Sequence, residues 1–510
     1  MEPGSGSLKG SSEVLLCDTF TLVGSGDFVV SLLLTRSEFL IQSLSDGPRG
    51  PPSTSCFLTD LIGCRSFRGK EKSDIGGYFT VVFYPLIGDS GSALYRQRVS
   101  RTFRKAISQD KEENLNIART WAQKIRQLAE QKGQPSVIPT PPRLLVLLNP
   151  HGGTGKALTL FQTHVIPMLT DADARFTLLV TERPNQAREL VRDEDLSRWD
   201  VIVVMSGDGL MFEVINGLME RPDWTNAIKK NLAILPGGSG NALAASINHY
   251  SGHQQVTGTK LLTNCAFVLC KGQPQPLDLV SLTTSSGKRI FSFLSLAWGF
   301  VSDVDIESEK YRFLGDLRFS VGTFVRLTAL RTYRGRLSYL KANPCLGEKG
   351  DIKETKQIIN SDNPHLDSVM LQELGDPLLP RLDQPIPNHW TVVPEDQFAL
   401  VLALYQSHLG ADLYTAPMVK NLGEGIIHLF YATSRISRAS LLKLFLSMEK
   451  GTHVDADIPH LIHVPVHAFR IEPFQNTGIM TVDGEVIPCA PIQGQIHSCL
   501  GRVISMPQKT

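Results

Sequence analysis

The period of the hydrophobic positions changes several times along the chain. Over roughly 12–131, short apolar runs alternate with Gly, Ser and Pro breaks: Phe28-Val29-Val30-Ser31-Leu32-Leu33-Leu34, Phe39-Leu40-Ile41 and Phe79-Thr80-Val81-Val82-Phe83-Tyr84. β-Branched and aromatic runs bounded by turn formers predict strands. From 113 to 128 the period lengthens, and Leu115, Ile117, Ala118, Trp121, Ile125 and Leu128 fall at the spacing of one helix face. A proline-rich stretch, 136–142, then reads as a linker. Next come four short, nearly all-apolar runs, 144–148, 176–180, 201–205 and 232–235, of the kind a parallel sheet covered on both faces needs. Helical stretches separate them; Leu158, Phe161, Val165 and Met168 share one face of the first. Beyond 286 an apolar strand (291–298) and one long helical segment precede a region that is mostly strand-like. The pattern therefore predicts an α+β domain over 1–134, an α/β nucleotide-binding domain over 143–285 and a β-sandwich C-terminal domain over 286–510. Within the last, 342–387 is rich in Pro, Asp, Lys and Asn with weak periodicity, and predicts a disordered insertion.

Composition narrows the function. A chain of 510 residues exceeds one ordinary core. Its 42% apolar and 20% charged residues fit a folded globular protein. A net charge of +1 gives no bulk attraction for nucleic acid, so any anion site must be local. The opening residues show no secretory pattern, and Glu2 excludes N-myristoylation. The longest apolar run, 398–405, falls far short of the ~20 residues that span a bilayer. The eight cysteines form no CxxC pair, so reduced thiols in a cytoplasmic protein are expected.

The chemistry sits where the predicted parallel strands end. After the first strand comes Asn149-Pro150-His151-Gly152-Gly153-Thr154-Gly155-Lys156, then a helix. Its glycines let backbone amides approach an anion, and the helix start adds a favourable dipole. It is not a Walker A loop, because Pro150 and Ala157 replace the first Gly and the Ser/Thr; nor is it GxGxxG, because Leu158 replaces the last Gly. Alone, it is also consistent with an ordinary glycine turn. The third strand runs into Ser206-Gly207-Asp208-Gly209, where Asp208 is either a reactive carboxylate or a helix N-cap. The fourth runs into Gly237, Gly238, Ser239, Gly240 and Asn241. Three such loops on one sheet edge, where open α/β sheets bind ligands, point to a polyphosphate site. Asp483-Gly484-Glu485, by spacing alone, is a hairpin turn.

In order and spacing these loops resemble the catalytic domain of diacylglycerol and sphingosine kinases. Leu218-Met219-Glu220-Arg221-Pro222-Asp223-Trp224, Ser295-Leu296-Ala297-Trp298-Gly299-Phe300 and His389-Trp390-Thr391-Val392-Val393-Pro394 resemble sphingosine kinases in particular. The N-terminal strand meander closed by a Trp-bearing helix resembles a pleckstrin-homology fold. The resemblance implies an ATP- and Mg²⁺-dependent kinase that phosphorylates the primary hydroxyl of sphingosine or a related base, with Asp208 as general base. It implies nucleotide contacts from the three loops, from Thr181, Glu182, Arg183, Pro184 and Asn185, from Arg312 and Arg318, and from Asp483, Gly484 and Glu485, with Asp483 the candidate for an indirect magnesium contact. Asp305 would read the lipid ammonium, because a carboxylate beside an apolar cavity needs a cation; the rival reading makes it a cap for a helix near Glu307. The lipid tail would lie among Phe300, Phe319, Leu409, Leu413, Phe430, Leu444, Phe445, Met448 and His453. For each of these, plain core packing is the alternative.

The segment 312–334 alternates apolar and basic residues. It suits a membrane surface or calmodulin, or else a helix packed on the sheet region. Membrane recruitment and a nuclear pool both accord with the resemblance. Two departures stand out: Thr154 replaces an expected cation, and Phe212 replaces the family's His one turn after Asp208. If that His orients the base, restoring it should raise the rate. The competing functions are a kinase for ceramide or diacylglycerol with the same fold, and a weakly active membrane or calmodulin-binding scaffold.

Overall fold

The computed structural model describes residues 13–24, 28–44, 53–88, 91–130, 142–308, 310, 317–342 and 374–507, with backbone alone at 317–321 and 324. These form two compact units, one of Met1–Pro142 with Gln162–Arg175, the other of Arg143–Phe161 with Phe176–Thr510.

In the first unit the predicted strands form a seven-stranded antiparallel sheet, from Thr54–Phe57 at one edge to Leu61–Arg68 at the other. Helix α1 (Lys111–Glu130) closes it, and Leu115, Ala118, Trp121, Ile125 and Leu128 are buried, as their spacing predicts. Trp121 meets Phe20 edge-on at 5.4 Å and stacks on Phe79 at 6.2 Å, so aromatic packing supplies much of this core. The stretch Gln162–Arg175, expected in the α/β block, belongs to this unit. Polar bonds tie it there: Arg98 donates two hydrogen bonds to the Asp171 carboxylate, at 2.7 and 2.9 Å, and Arg65 and Arg126 pair with Asp173.

In the second unit all four predicted parallel strands are present, as Arg143–Leu148, Arg175–Val180, Val201–Ser206 and Asn231–Pro236, in spatial order second, first, third, fourth. The sheet-rich C-terminal region is not separate from them. The strand Ile492–Ser505 pairs in parallel with Asn231–Pro236 (Leu232 opposite Val503) and antiparallel with Gln273–Thr284 and Leu461–Pro473. The two domains expected over 143–285 and 286–510 therefore share one 15-stranded hydrogen-bonded sheet. Its antiparallel part packs Trp298 against Tyr333 and Phe398 at about 6 Å.

The expected disordered insertion needs correction. Residues 343–373 lie outside the described residues, but 374–387 is pinned. Asp376 Oδ1 accepts from Ser281 Oγ (2.5 Å), Arg289 Nη2 (2.6 Å) and His497 Nε2 (3.1 Å). Fully buried Arg470 donates to the carbonyls of Pro380, Arg381 and Gln384. Low hydrophobicity misled the reading here, because this segment is held by polar bonds rather than by an apolar face. Arg470→Met should therefore cost about 1.5–3 kcal/mol, the scale of hydrogen bonds to a charged group. Denaturant unfolding together with limited proteolysis checks it: cleavage within 374–387 is expected in the variant and not in the wild type.

Candidate active site

Parallel strands deliver their C-terminal loops to one edge, and here the loops interlock through bare backbone. Gly238 packs so tightly on Gly207 that a side chain on Gly238 would collide with it. A Cβ on Gly153, whose φ of +56° already disfavours other residues, would lie 2.8 Å from the Gly238 carbonyl carbon. The third loop is tied internally: Asn241 Oδ1 accepts the Gly238 amide at 3.1 Å, and its Nδ2 donates to the Gly238 carbonyl at 2.8 Å. Asn241, with φ of 55°, thus shapes the loop instead of facing a ligand.

Asp208 begins helix α2 (Asp208–Met219) and is buried. Its carboxylate does not cap that helix. It accepts the Ala242 amide at 2.8 Å and the Leu243 amide at 3.0 Å, at the start of helix α3 (Ala242–Tyr250). Burial raises its pKa, while the two amides pull the other way.

The turn at Asp483-Gly484 joins strands Met480–Val482 and Glu485–Ile487, with φ of 51° and 85°, so the hairpin reading is correct. Asp483 also has a structural task. Its carboxylate accepts the Ser292 hydroxyl (2.6 Å) and the amides of Phe293 (3.1 Å), Leu294 (3.0 Å) and Ser295 (2.9 Å). Burial pushes its pKa up to about 7 against those four donors. With three donors on Oδ1 and one on Oδ2, Asp483 is oriented by the chain itself and is poorly suited to be a direct magnesium ligand. Among the described residues no group of three His, Cys, Asp or Glu side chains is placed to hold a metal. The turn instead brings other groups together: Glu485 lies over Gly209, and a Cβ on Gly484 would be 4.0 Å from Asp305 Oδ2. Asp305 lies in the second turn of the helix Phe300–Ser308, which overturns the capping alternative.

One cavity of about 590 Å³ gathers these groups. Of the predicted residues, Asn149, His151, Gly152, Gly153, Thr181, Glu182, Arg183, Pro184, Ser206, Gly207, Asp208, Gly238, Ser239 and Gly240 line its polar end. Asp305, Asp483, Gly484 and Glu485 line it too, as do Leu409, Leu413, Phe445 and Met448 on the apolar wall. Other predicted residues do not line it. Pro150, Gly155, Lys156, Asn185, Gly237 and Asn241 support the loops from outside the lining. Phe300 and Leu444 are core; Phe300 meets the back of Phe445 edge-on at 5.6 Å. Phe430 and His453 line a second cavity of about 370 Å³. Arg312 lies outside the described residues, as do the side chains of Arg318 and Phe319.

Several lining residues were not anticipated, among them Glu213, Leu294, Ser295, Val301, Val304, Thr415 and Thr481. Glu213 Oε2 is buried without a hydrogen-bond partner. The signal for it was legible: beyond Asp208 it is the one charge in the sequence of α2.

Comparison with known proteins gives this geometry its family. Residues 143–282 match the diacylglycerol kinase catalytic domain. Human sphingosine kinase 1 is 55% identical over 72% of this chain and 91% of its own length. Human sphingosine kinase 2 is 37% identical over 94% of this chain and 89% of its own. Sphingosine kinase 1 of Arabidopsis thaliana is 32% identical over 72% of each chain. The chain belongs to the sphingosine kinase family. It is a lipid kinase, and the interlocked loops are the edge of its catalytic domain.

The Phe212 departure has a structural account in this sphingosine kinase fold. Phe212 packs against the apolar cluster of the sheet-rich region and does not line the cavity. Each oxygen of Asp208 accepts one backbone amide, so its orientation is set by the chain without an imidazole at 212. Contrary to the expectation from sequence, Phe212→His should leave kcat unchanged and lower Tm, since it puts a polar ring against apolar neighbours. Steady-state kinetics and thermal unfolding of the variant check both outcomes.

Proposed function

We propose that this kinase transfers the γ-phosphoryl group of ATP to the primary hydroxyl of a sphingoid base, giving sphingosine 1-phosphate. The observation that carries the reading is the cavity itself, with Asp208 among bare amides at one end, an apolar wall at the other and Asp305 also in its lining. The amides of Gly152, Gly153, Gly207, Ser239 and Gly240 suit a triphosphate, which needs positioning and charge compensation more than covalent help. Arg312 and Arg318 add cations on the strength of the resemblance, and magnesium would accompany the nucleotide phosphates. The unpartnered oxygen of Glu213 suits a hydroxyl donor on the nucleotide. Asp208 takes the proton as the lipid oxygen attacks phosphorus. Asp305 accepts the ammonium of the base, a charge-assisted bond that ceramide and diacylglycerol have no amine to make. Leu409, Leu413, Val304, Phe445 and Met448 cover the tail.

The wider surface extends this proposal. The first unit acts as a pleckstrin-homology-like module, and the helix Leu317–Thr328 presents part of a membrane- or calmodulin-facing surface. Such an enzyme works from the cytoplasm at membrane surfaces, with nuclear entry a further location. Among the described residues no helix is long and apolar enough to cross a membrane.

Two variants and a pH profile test the mechanism. Asp208→Asn should lower turnover about 10²–10⁴-fold, the usual contribution of a general base, and leave ATP binding nearly intact. It should also lower Tm, because the new NH₂ faces either the Ala242 or the Leu243 amide and one bond is lost. Since the base must be ionised and burial raises its pKa, kcat should rise with pH through a midpoint above the ordinary carboxylate range, then level off. Asp305→Asn should raise KM for sphingosine steeply and leave KM for ATP unchanged. An equal loss toward an amine-free long-chain alcohol, or wild-type preference for ceramide or diacylglycerol, would refute amine recognition.

A further inference from the structure

The apolar wall and the general base are fastened to opposite ends of one helix. α3 is nine residues long, about 13 Å at 1.5 Å per residue. Its first two amides hold the Asp208 carboxylate. Its later turns hold the 408–414 hairpin: Ser246 Oγ accepts the His408 amide at 3.2 Å, and the Tyr250 hydroxyl accepts the Ser407 amide at 3.0 Å. All four of these residues are buried. That hairpin carries Leu409 and Leu413 to the cavity. A second tie bypasses the helix. The Ala411 amide donates to the Gly240 carbonyl at 3.0 Å, and a Cβ built on Gly240 would lie 3.0 Å from Asp208 Oδ2.

Apolar packing alone would suffice to seat a short hairpin. Here buried polar bonds run from it to the one helix and the one loop that orient the base. Neither Ser246 nor Tyr250 lines the cavity, so their hydroxyls serve the attachment and not a ligand. We propose that α3 and the 408–414 hairpin form a positioning device that makes turnover depend on the lipid tail, with Ser246 and Tyr250 as its positioning residues. A tail filling the space beside Leu409 and Leu413 fixes the hairpin, and the hairpin fixes Gly240 and Asp208. Binding energy from the unreactive end of the substrate is thereby used to orient the reacting end, and it appears in kcat as well as in KM. This rests on the sphingoid-base reading above.

The test compares sphingosine with a base of identical head and truncated tail, using single-turnover phosphoryl transfer so that product release does not intervene. The full chain is used as wild type, Ser246→Ala, Tyr250→Phe and the double variant, with Tm recorded for each. Both substitutions remove only a hydroxyl. For the wild type, the rate at saturation should be about tenfold higher with sphingosine, the scale of one well-placed hydrogen bond. In the double variant the sphingosine rate should fall most of the way to the truncated-tail rate, which itself stays put, the Ala411–Gly240 bond keeping the remainder, and KM for ATP should not move. A single variant replaces the double one if that does not fold. The proposal is overturned if the wild-type tail acts through KM alone, if the variants keep the wild-type tail dependence, or if they slow both substrates equally. Failure of the wild type to phosphorylate either base would instead refute the sphingoid-base reading.

Discussion

A buried carboxylate is costly unless donors replace the water it loses, and Asp208 is buried with two such donors. They are backbone amides at a helix start, where the helix dipole also favours negative charge. Much else follows from keeping those amides in place. They are exposed to Asp208 because Asn241 turns the chain into α3 with positive φ, and Asn241 is held there by Gly238. The two loops can approach because Gly238 has no side chain to strike Gly207. Both glycines follow adjacent parallel strands in register, Ser206 opposite Pro236. Strand register, loop contact and the placement of the Asp208 carboxylate are one constraint at three scales.

The acidic turn supports the same site from the other side. A side chain at 483 that faced a metal would have to leave its oxygens open, whereas Asp483 gives them to Ser292 and three consecutive amides. What the turn contributes is position: it sets Gly484 beside Asp305 and Glu485 over Gly209. The part of the cavity around Asp305 is thus a meeting of three segments distant in sequence, with the turn as spacer.

The parallel strands and their loops were readable because each depends on local signals, an apolar run followed by Gly and a polar residue. α1 was readable for the same reason, through its Trp121 face. What escaped depends on contacts between distant segments. The carbonyls that hold Arg470 come from a stretch with no apolar period. The attachment of Ile492–Ser505 to Asn231–Pro236 rests on the single pairing of Leu232 with Val503. Asn241 looked like a ligand because Asn is polar in a glycine loop, but the same side chain is the one best able to close that loop on itself. Phe430 and His453 were placed in the tail wall by resemblance, and here they belong to a neighbouring cavity.

The shared sheet also decides how the site can adjust. Two domains joined by a flexible strand could open and close around their ligands as a hinge. In this chain Ile492–Ser505 pairs over many residues with Gln273–Thr284, over four with Leu461–Pro473 and at one position with Asn231–Pro236, so bending there would break bonds to all three. Adjustment to a lipid must then fall to small elements set on that frame. The 408–414 hairpin is one, with a few pairs of its own and polar bonds to α3 and Gly240. The helix Phe300–Ser308, which carries Asp305, is another. Each of them reaches the cavity directly, and the hairpin also reaches the loop and helix that hold Asp208. In a rigid frame of this kind, the elements least bound into the sheet are also the ones that bring Asp305, Leu409 and Leu413 to the cavity.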